Sequence, residues 1–111
     1  MKIPFQQINW ESLPENESSG TTGHALSRVV ETNGLRVRIV EYNKGYLADH
    51  WCQKGHVVHC LNGSVETQME NGEKHLLKKG MTYIVSDNMS SHRSFSAEGA
   101  RLLVIDGEFL K

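Results

Sequence analysis

Apolar and polar residues alternate over short runs along most of this chain, and turn residues interrupt them at regular spacing. The plainest run covers residues 35–42. Leu35, Val37 and Ile39 share one face and Arg36 and Arg38 the other, the period-two pattern of a half-buried strand. Asn33-Gly34 precedes it, a two-residue turn signal in which both residues tolerate positive φ. Residues 24–31 then become its hairpin partner; the pattern also suits a short helix, but Val29 and Val30 favour a strand. Asn62-Gly63 and Asn71-Gly72 read as two further hairpin turns, flanking a strand over 64–70 with Val65, Thr67 and Met69 on one face. Short strands are expected over 75–79, 81–85, 92–96 and 101–105. Leu102 to Ile105 is apolar on both faces, so that strand is either central or covered by a partner. Residues 3–10 read as a short strand or extended arm, where Pro4 suits an edge, and residues 11–23 as a polar loop. No amphipathic helix of normal length is evident. The pattern predicts an all-β, antiparallel sandwich or barrel in a single domain over 1–111, with 1–23 as an N-terminal arm and loop.

Composition narrows the partners. The 111 residues suffice for one core, and 38% hydrophobic with 23% charged residues suits a soluble globular chain. The formal net charge of -1, with both signs mixed along the chain, argues against a nucleic-acid groove. No apolar run approaches the roughly 20 residues of a membrane helix, and the N-terminal MKIPFQQINWE lacks the apolar centre of a signal peptide. A cytoplasmic location is the expectation, and with it free thiols at Cys52 and Cys60.

Candidate chemistry is concentrated between Gly45 and Gly63, which holds His50, Cys52, His56 and His59. With Gln53-Lys54-Gly55 as a three-residue hairpin loop, Cys52 falls opposite His56 and His50 opposite Val58. Alternation then puts His50, Cys52, His56 and Val58 on one face and Trp51 and His59 on the other. Nitrogen and sulfur donors in that grouping suit a divalent zinc, iron, nickel or copper ion. His92, after the turn at 86–91, is the candidate fourth donor. A second hairpin at Asn62-Gly63 would pair Val58 with Thr67 and His56 with Met69, so Val58, Thr67 and Met69, with Tyr83 from the later strand, are expected to line a small-molecule pocket beside the donors. Arg36 and Arg38 would bind a substrate carboxylate if their face is the lumen, and are otherwise a solvated pair. Cys52 also reads as a buried apolar residue or as a nucleophile beside a histidine, although Asp49 points away by parity.

These residues resemble the cupin superfamily. Its first motif runs glycine, five residues, His-x-His, three or four residues, glutamate, six residues, glycine; here Gly45 is followed by four residues, then His50-Trp51-Cys52, three residues, His56, and six more to Gly63. Its second runs glycine, five residues, Pro-x-Gly, two residues, histidine, three residues, asparagine; here Gly80 is followed by five residues, Ser86-Asp87-Asn88, three residues, His92, and Ser96 near the asparagine position. Sixteen residues separate Gly63 from Gly80, close to the spacer of small cupins. The Asp49 to Cys52 run, Asp-His-Trp-Cys, looks like the signature of the DHCW-motif cupin-fold subgroup. The resemblance implies an antiparallel jelly-roll barrel, pairing into a homodimer through its sheets, and a metal held by His50, Cys52, His56 and His92. Cys52 stands where the second histidine belongs and His56 where the glutamate does. Two functions are then expected: a metal-dependent enzyme, of oxidoreductase or isomerase type, on a small polar metabolite, or a non-catalytic ligand-binding or metal-sensing module. Four protein donors would close the site as in structural zinc centres, whereas three would leave a position open.

Overall fold

The computed structural model describes residues 2–111 and is a curled antiparallel half-barrel of nine strands, with no α-helix among the described residues. The strands are β1 (Asn16–Ser19), β2 (His24–Thr32), β3 (Leu35–Tyr42), β4 (Tyr46–Leu47), β5 (His56–Met69), β6 (Lys74–Lys78), β7 (Thr82–Val85), β8 (His92–Ser96) and β9 (Ala100–Gly107). Short 3-10 turns at Trp10–Ser12 and Glu108–Leu110 complete the regular structure.

β5 organises the barrel. Its first half lies between β9 and β7 in a sheet that continues through β3 and β2 to β1. Its second half lies between β6 and β8, with β4 beyond β8. The strand passes from one sheet to the other at Asn62-Gly63, where the register against β9 shifts. Asn62-Gly63 is therefore a bulged bend inside one strand and not the expected hairpin turn. Glycine is required there for a different reason: Gly63 has φ +73, and a Cβ would collide with the Gly99 carbonyl oxygen. Asn33-Gly34 does form the β2–β3 hairpin turn, with φ of +46 and +83. The third Asn-Gly pair, Asn71-Gly72, lies in the β5–β6 turn.

With no hairpin at Asn62-Gly63, the expected pairings of Val58 with Thr67 and His56 with Met69 do not form. Val58 pairs with Tyr83 and Val104, His56 with Val85, Thr67 with His75 and Ser94, and Met69 with His92. The hairpin expected around residues 53–55 is absent as well: residues 48–55 form a connection pinned to the barrel wall, where Gly55 N–H donates to Asp87 Oδ1 at 2.6 Å. Near the N-terminus, residues 2–9 carry no strand, and β1 forms within the stretch expected to be loop. β1 is exposed at all four positions, so it has no apolar face that a pattern could reveal.

The interior is graded along the strands. The core packs Val40, Val58, Cys60, Val65, Leu77, Leu102 and Val104, with Tyr42, Tyr46 and Tyr83 against them. On β3 the positions sharing Val40's face are Arg36, Arg38 and Tyr42; on β9 those sharing Leu102's face are Val104 and Asp106. The register sets Arg36 against Asp106, Arg38 against Val104 and Val40 against Leu102. Polar groups thus gather at one end of the inner face and apolar groups at the other. The apolar stripe of β3, Leu35, Val37 and Ile39, faces outward beside Leu103 and Ile105 of the central strand β9.

Candidate metal centre and ligand cavity

Cys52, His56 and His92 meet at the polar end of the barrel, each offering one ligand atom within 4.8 Å of the others. Three separate pieces of chain deliver them. His56 opens β5 and His92 opens β8. Cys52 lies in the connection before β5 and is tied to His92 by a two-bond antiparallel bridge, Cys52 N–H to His92 O at 2.7 Å and His92 N–H to Cys52 O at 2.9 Å. The Cys52 thiol then stands 3.6 Å from His56 Nε2. The rings of His56 and His92 approach edge to face with centroids 5.6 Å apart.

Each imidazole is held from behind. His56 Nδ1 lies 3.3 Å from Asp106 Oδ2, off-line for a hydrogen bond but within ion-pair reach. Ser90 Oγ is 2.8 Å from His92 Nδ1. With each Nδ1 protonated toward its oxygen, the Nε2 lone pair of each ring is free, which is how metal-ligating histidines are oriented. Burial pushes the His56 pKa down to about 4, helped by the nearby Arg38 guanidinium and by His92 and opposed by Asp106. Burial lowers His92 as well. Both rings are therefore neutral near pH 7, the state a metal ligand needs. Two neutral imidazoles and a thiol are a donor set that suits zinc, iron, nickel or copper.

The structure does not bring His50 into this group. Its side chain is 74% exposed and its Nδ1 pairs with Asp49 Oδ1 at 2.7 Å. The reason is the missing hairpin: without strand alternation through residues 48–55, His50 and Cys52 need not share a face. His50 lines the mouth of the cavity instead. His59, expected to lie off the donor face, is bonded through Nδ1 to Thr82 Oγ1 at 2.8 Å. Cys60 is fully buried and, like Cys52, is a free thiol.

Beside the three donors is a cavity of about 340 Å³, within the range of small-molecule sites. Of the four residues expected to line a pocket, Val58 and Tyr83 line this one. Thr67 and Met69 line a second pocket of about 330 Å³, which shares Tyr83 and His92 with the first and opens between β6 and β7. They lie on the half of β5 beyond the bend, which belongs to the other sheet.

Sequence reading missed Asp106. Its side chain is 2% exposed, and its Oδ2 lies 3.6 Å from Arg38 Nη2 as well as 3.3 Å from His56 Nδ1. The available signal was parity: Asp106 sits two and four residues beyond Val104 and Leu102, a carboxylate on the face those two bury. Arg36 and Arg38 line the cavity and are not a solvated pair.

No protein-family model matches the sequence, and no curated protein resembles it significantly. Solved structures do match in fold. Ectoine synthase from P. lautus superposes with a TM-score of 0.74 at 17% identity, covering 93% of this chain and 78% of its own. A cupin-superfamily sugar phosphate isomerase from Silicibacter pomeroyi gives 0.72 at 14% identity, covering 90% and 74%. An RmlC-like cupin from Shewanella frigidimarina gives 0.72 at 16% identity, covering 95% and 92%. Nine antiparallel strands curled around a Cys–His–His cluster, and these likenesses together, identify the fold of this chain as that of the cupins.

Proposed function

We propose that the chain is a metal-binding cupin of the DHCW-motif kind that uses a divalent transition metal, held by Cys52, His56 and His92, on a small polar metabolite in the adjoining cavity. The reaction class is that of an oxidoreductase or isomerase, in a cytoplasmic protein. The single observation that carries this reading is the convergence of three donor atoms within 4.8 Å at the wall of a ligand-sized cavity.

Three protein donors suit a working site better than a structural one, because they leave coordination positions for water or substrate. When bound, the ion would polarise a ligand oxygen or activate water or dioxygen. Ser90 holds the His92 ring and Asp106 lies 3.3 Å behind the His56 ring, while Tyr83 and Val58 bound the space in front. Metal analysis of protein purified under reducing conditions, beside Cys52→Ser and His92→Ala variants, tests the reading. One equivalent of metal in the wild type and a clear loss in both variants is expected. A wild type without stoichiometric metal sinks the proposal, and full affinity in Cys52→Ser removes the thiol from the donor set.

The alternative, a non-catalytic ligand-binding or metal-sensing module, is favoured by one feature. Asp106 is the one carboxylate lining the cavity, and it lies behind His56 and 3.6 Å from the Arg38 guanidinium, which favours a charge-neutralised carboxylate over a general base. Pairing into a homodimer is part of the same reading. It is supported by the outward apolar row of Val37, Leu103, Ile105 and the 73%-exposed Ile84, and light scattering would test it.

A further inference from the structure

The charges around the cavity are one-sided. Arg36, Arg38, Lys54 and Arg93 line it, against Asp106 alone. Arg93 is already engaged: its Nε donates to Gln68 Oε1 at 2.8 Å and its guanidinium lies 4.4 Å from the Trp51 ring centroid. Lys54 is exposed at the mouth. Arg36 and Arg38 differ from both. The Nε atoms of both are buried and lack hydrogen-bond partners, and their ion pairs, Arg36 with Glu31 at 3.5 Å and Arg38 with Asp106 at 3.6 Å, are long. A buried N–H without a partner is costly unless something accepts from it. Adjacent inward positions on β3 aim both groups into one space.

We propose that the ligand of this cavity is a small carboxylate-bearing molecule, its anionic end held by Arg38 and Arg36 and its remainder directed toward the Cys52–His56–His92 cluster. The proposal rests on the cavity being the ligand site of the preceding reading. A carboxylate fits better than a phosphate. Phosphate sites draw on helix N-termini or backbone nests, and here the wall around Arg36 and Arg38 is built of β2, β3 and β9, whose N–H groups are committed to sheet ladders. On that wall the side chains receive the anion, and a guanidinium fork matches one planar carboxylate edge. The single oxygen Asp106 Oδ2 touches both Arg38 and His56, so the anion site and the donor cluster are neighbours across one carboxylate. The apolar end of the same inner face, with Val40, Val58 and Leu102 beside Tyr42 and Tyr46, supplies apolar and aromatic surface for the body of the molecule.

The test is calorimetric titration of the full chain, metal-free to avoid chelation, with malonate, malonamide and inorganic phosphate. Arg36→Gln and the charge-balanced pair Arg38→Gln with Asp106→Asn are the test variants. The outer-face Arg101→Gln, at a residue paired with Glu41, is the control. Saturable malonate binding is expected, at least about tenfold tighter than malonamide or phosphate, weakened about tenfold or more in both test variants and unchanged in the control. No saturable malonate binding, equal binding by the test variants, or a preference for phosphate overturns the proposal. Zinc affinity of the same samples separates the two readings. Malonate binding without zinc binding refutes the metal centre and leaves this inference standing, whereas zinc binding without malonate binding refutes this inference alone.

Discussion

Cys52 and His92 are joined backbone to backbone, N–H to O in both directions at 2.7 and 2.9 Å, although Cys52 itself lies outside any strand and only His92 belongs to one, β8. The thiol is therefore positioned by β8 and not by a turn into β5. Replacing Cys52 with serine leaves both bonds intact and changes one half-buried side-chain atom. The metal-free Cys52→Ser protein is expected to keep its stability within about 1 kcal/mol of wild type. Urea unfolding midpoints check this, and a much larger loss would mean that the thiol itself packs the site.

Asp106 braces His56 and Arg38 at once. Asp106→Asn keeps the shape and removes the charge, so metal affinity should fall by about 10- to 100-fold through the loosened His56 ring. Asp106→Ala also leaves Arg38 without its partner and is expected to cost about 3 kcal/mol of stability or more. A competition titration for metal and a denaturant melt separate these effects.

His50 offers a contrast on the same loop. Its ring is exposed and bonded to Asp49, outside the donor group. His50→Ala should leave metal affinity within about twofold of wild type, as expected for an exposed residue outside the donor cluster. A loss as large as that of His56→Ala would place His50 among the ligands.

Gly63 turns β5 from one sheet into the other at φ +73, with backbone where a side chain would go. Gly63→Ala is expected to cost at least about 3 kcal/mol, the upper range for a single substitution, because Gly99 O and Ala100 Cα cannot move without breaking the β5–β9 ladder. Thermal melting would show it, and a near-neutral result would mean that the bend is compliant.

The depressed histidines set a pH dependence. The His56 pKa is about 4 in the folded chain, chiefly from burial, against about 6.5 for an ordinary histidine in an unfolded one. Between those values the unfolded chain binds a proton that the folded chain refuses. Stability of the metal-free protein is thus fully present above pH 6.5 and declines as pH falls toward 4, with His92 contributing in the same direction. His56→Gln should flatten that decline. Urea midpoints at pH 7 and pH 5 for both proteins test it, and equal slopes would exclude His56 as the cause.

Local chemistry was legible where local rules decide. The Asn33-Gly34 turn, the period-two run of β3 and the apolar β9 follow from sterics and from the pleat, which act over a few residues. β1 was not legible, because a strand exposed at every position carries no hydrophobic pattern. Nor was the meaning of Asn62-Gly63, since the same positive φ serves a hairpin turn and a bulged bend, and only the presence of β9 alongside chooses between them.

The all-β class, the crowding of donor types between Gly45 and Gly63, and the candidacy of His92 follow from local residue pattern. Which donors meet depends on long-range packing. It chose between the two faces left open for β3, turning Arg36 and Arg38 toward the cavity and the apolar row of Leu35, Val37 and Ile39 to the outer side of the sheet. It replaced a turn by the Cys52–His92 bridge, left His50 at the mouth, and brought Asp106 behind His56. Alternation within a strand names two faces without saying which is inside. Donors from three separate segments are brought together only when long-range pairing closes the barrel.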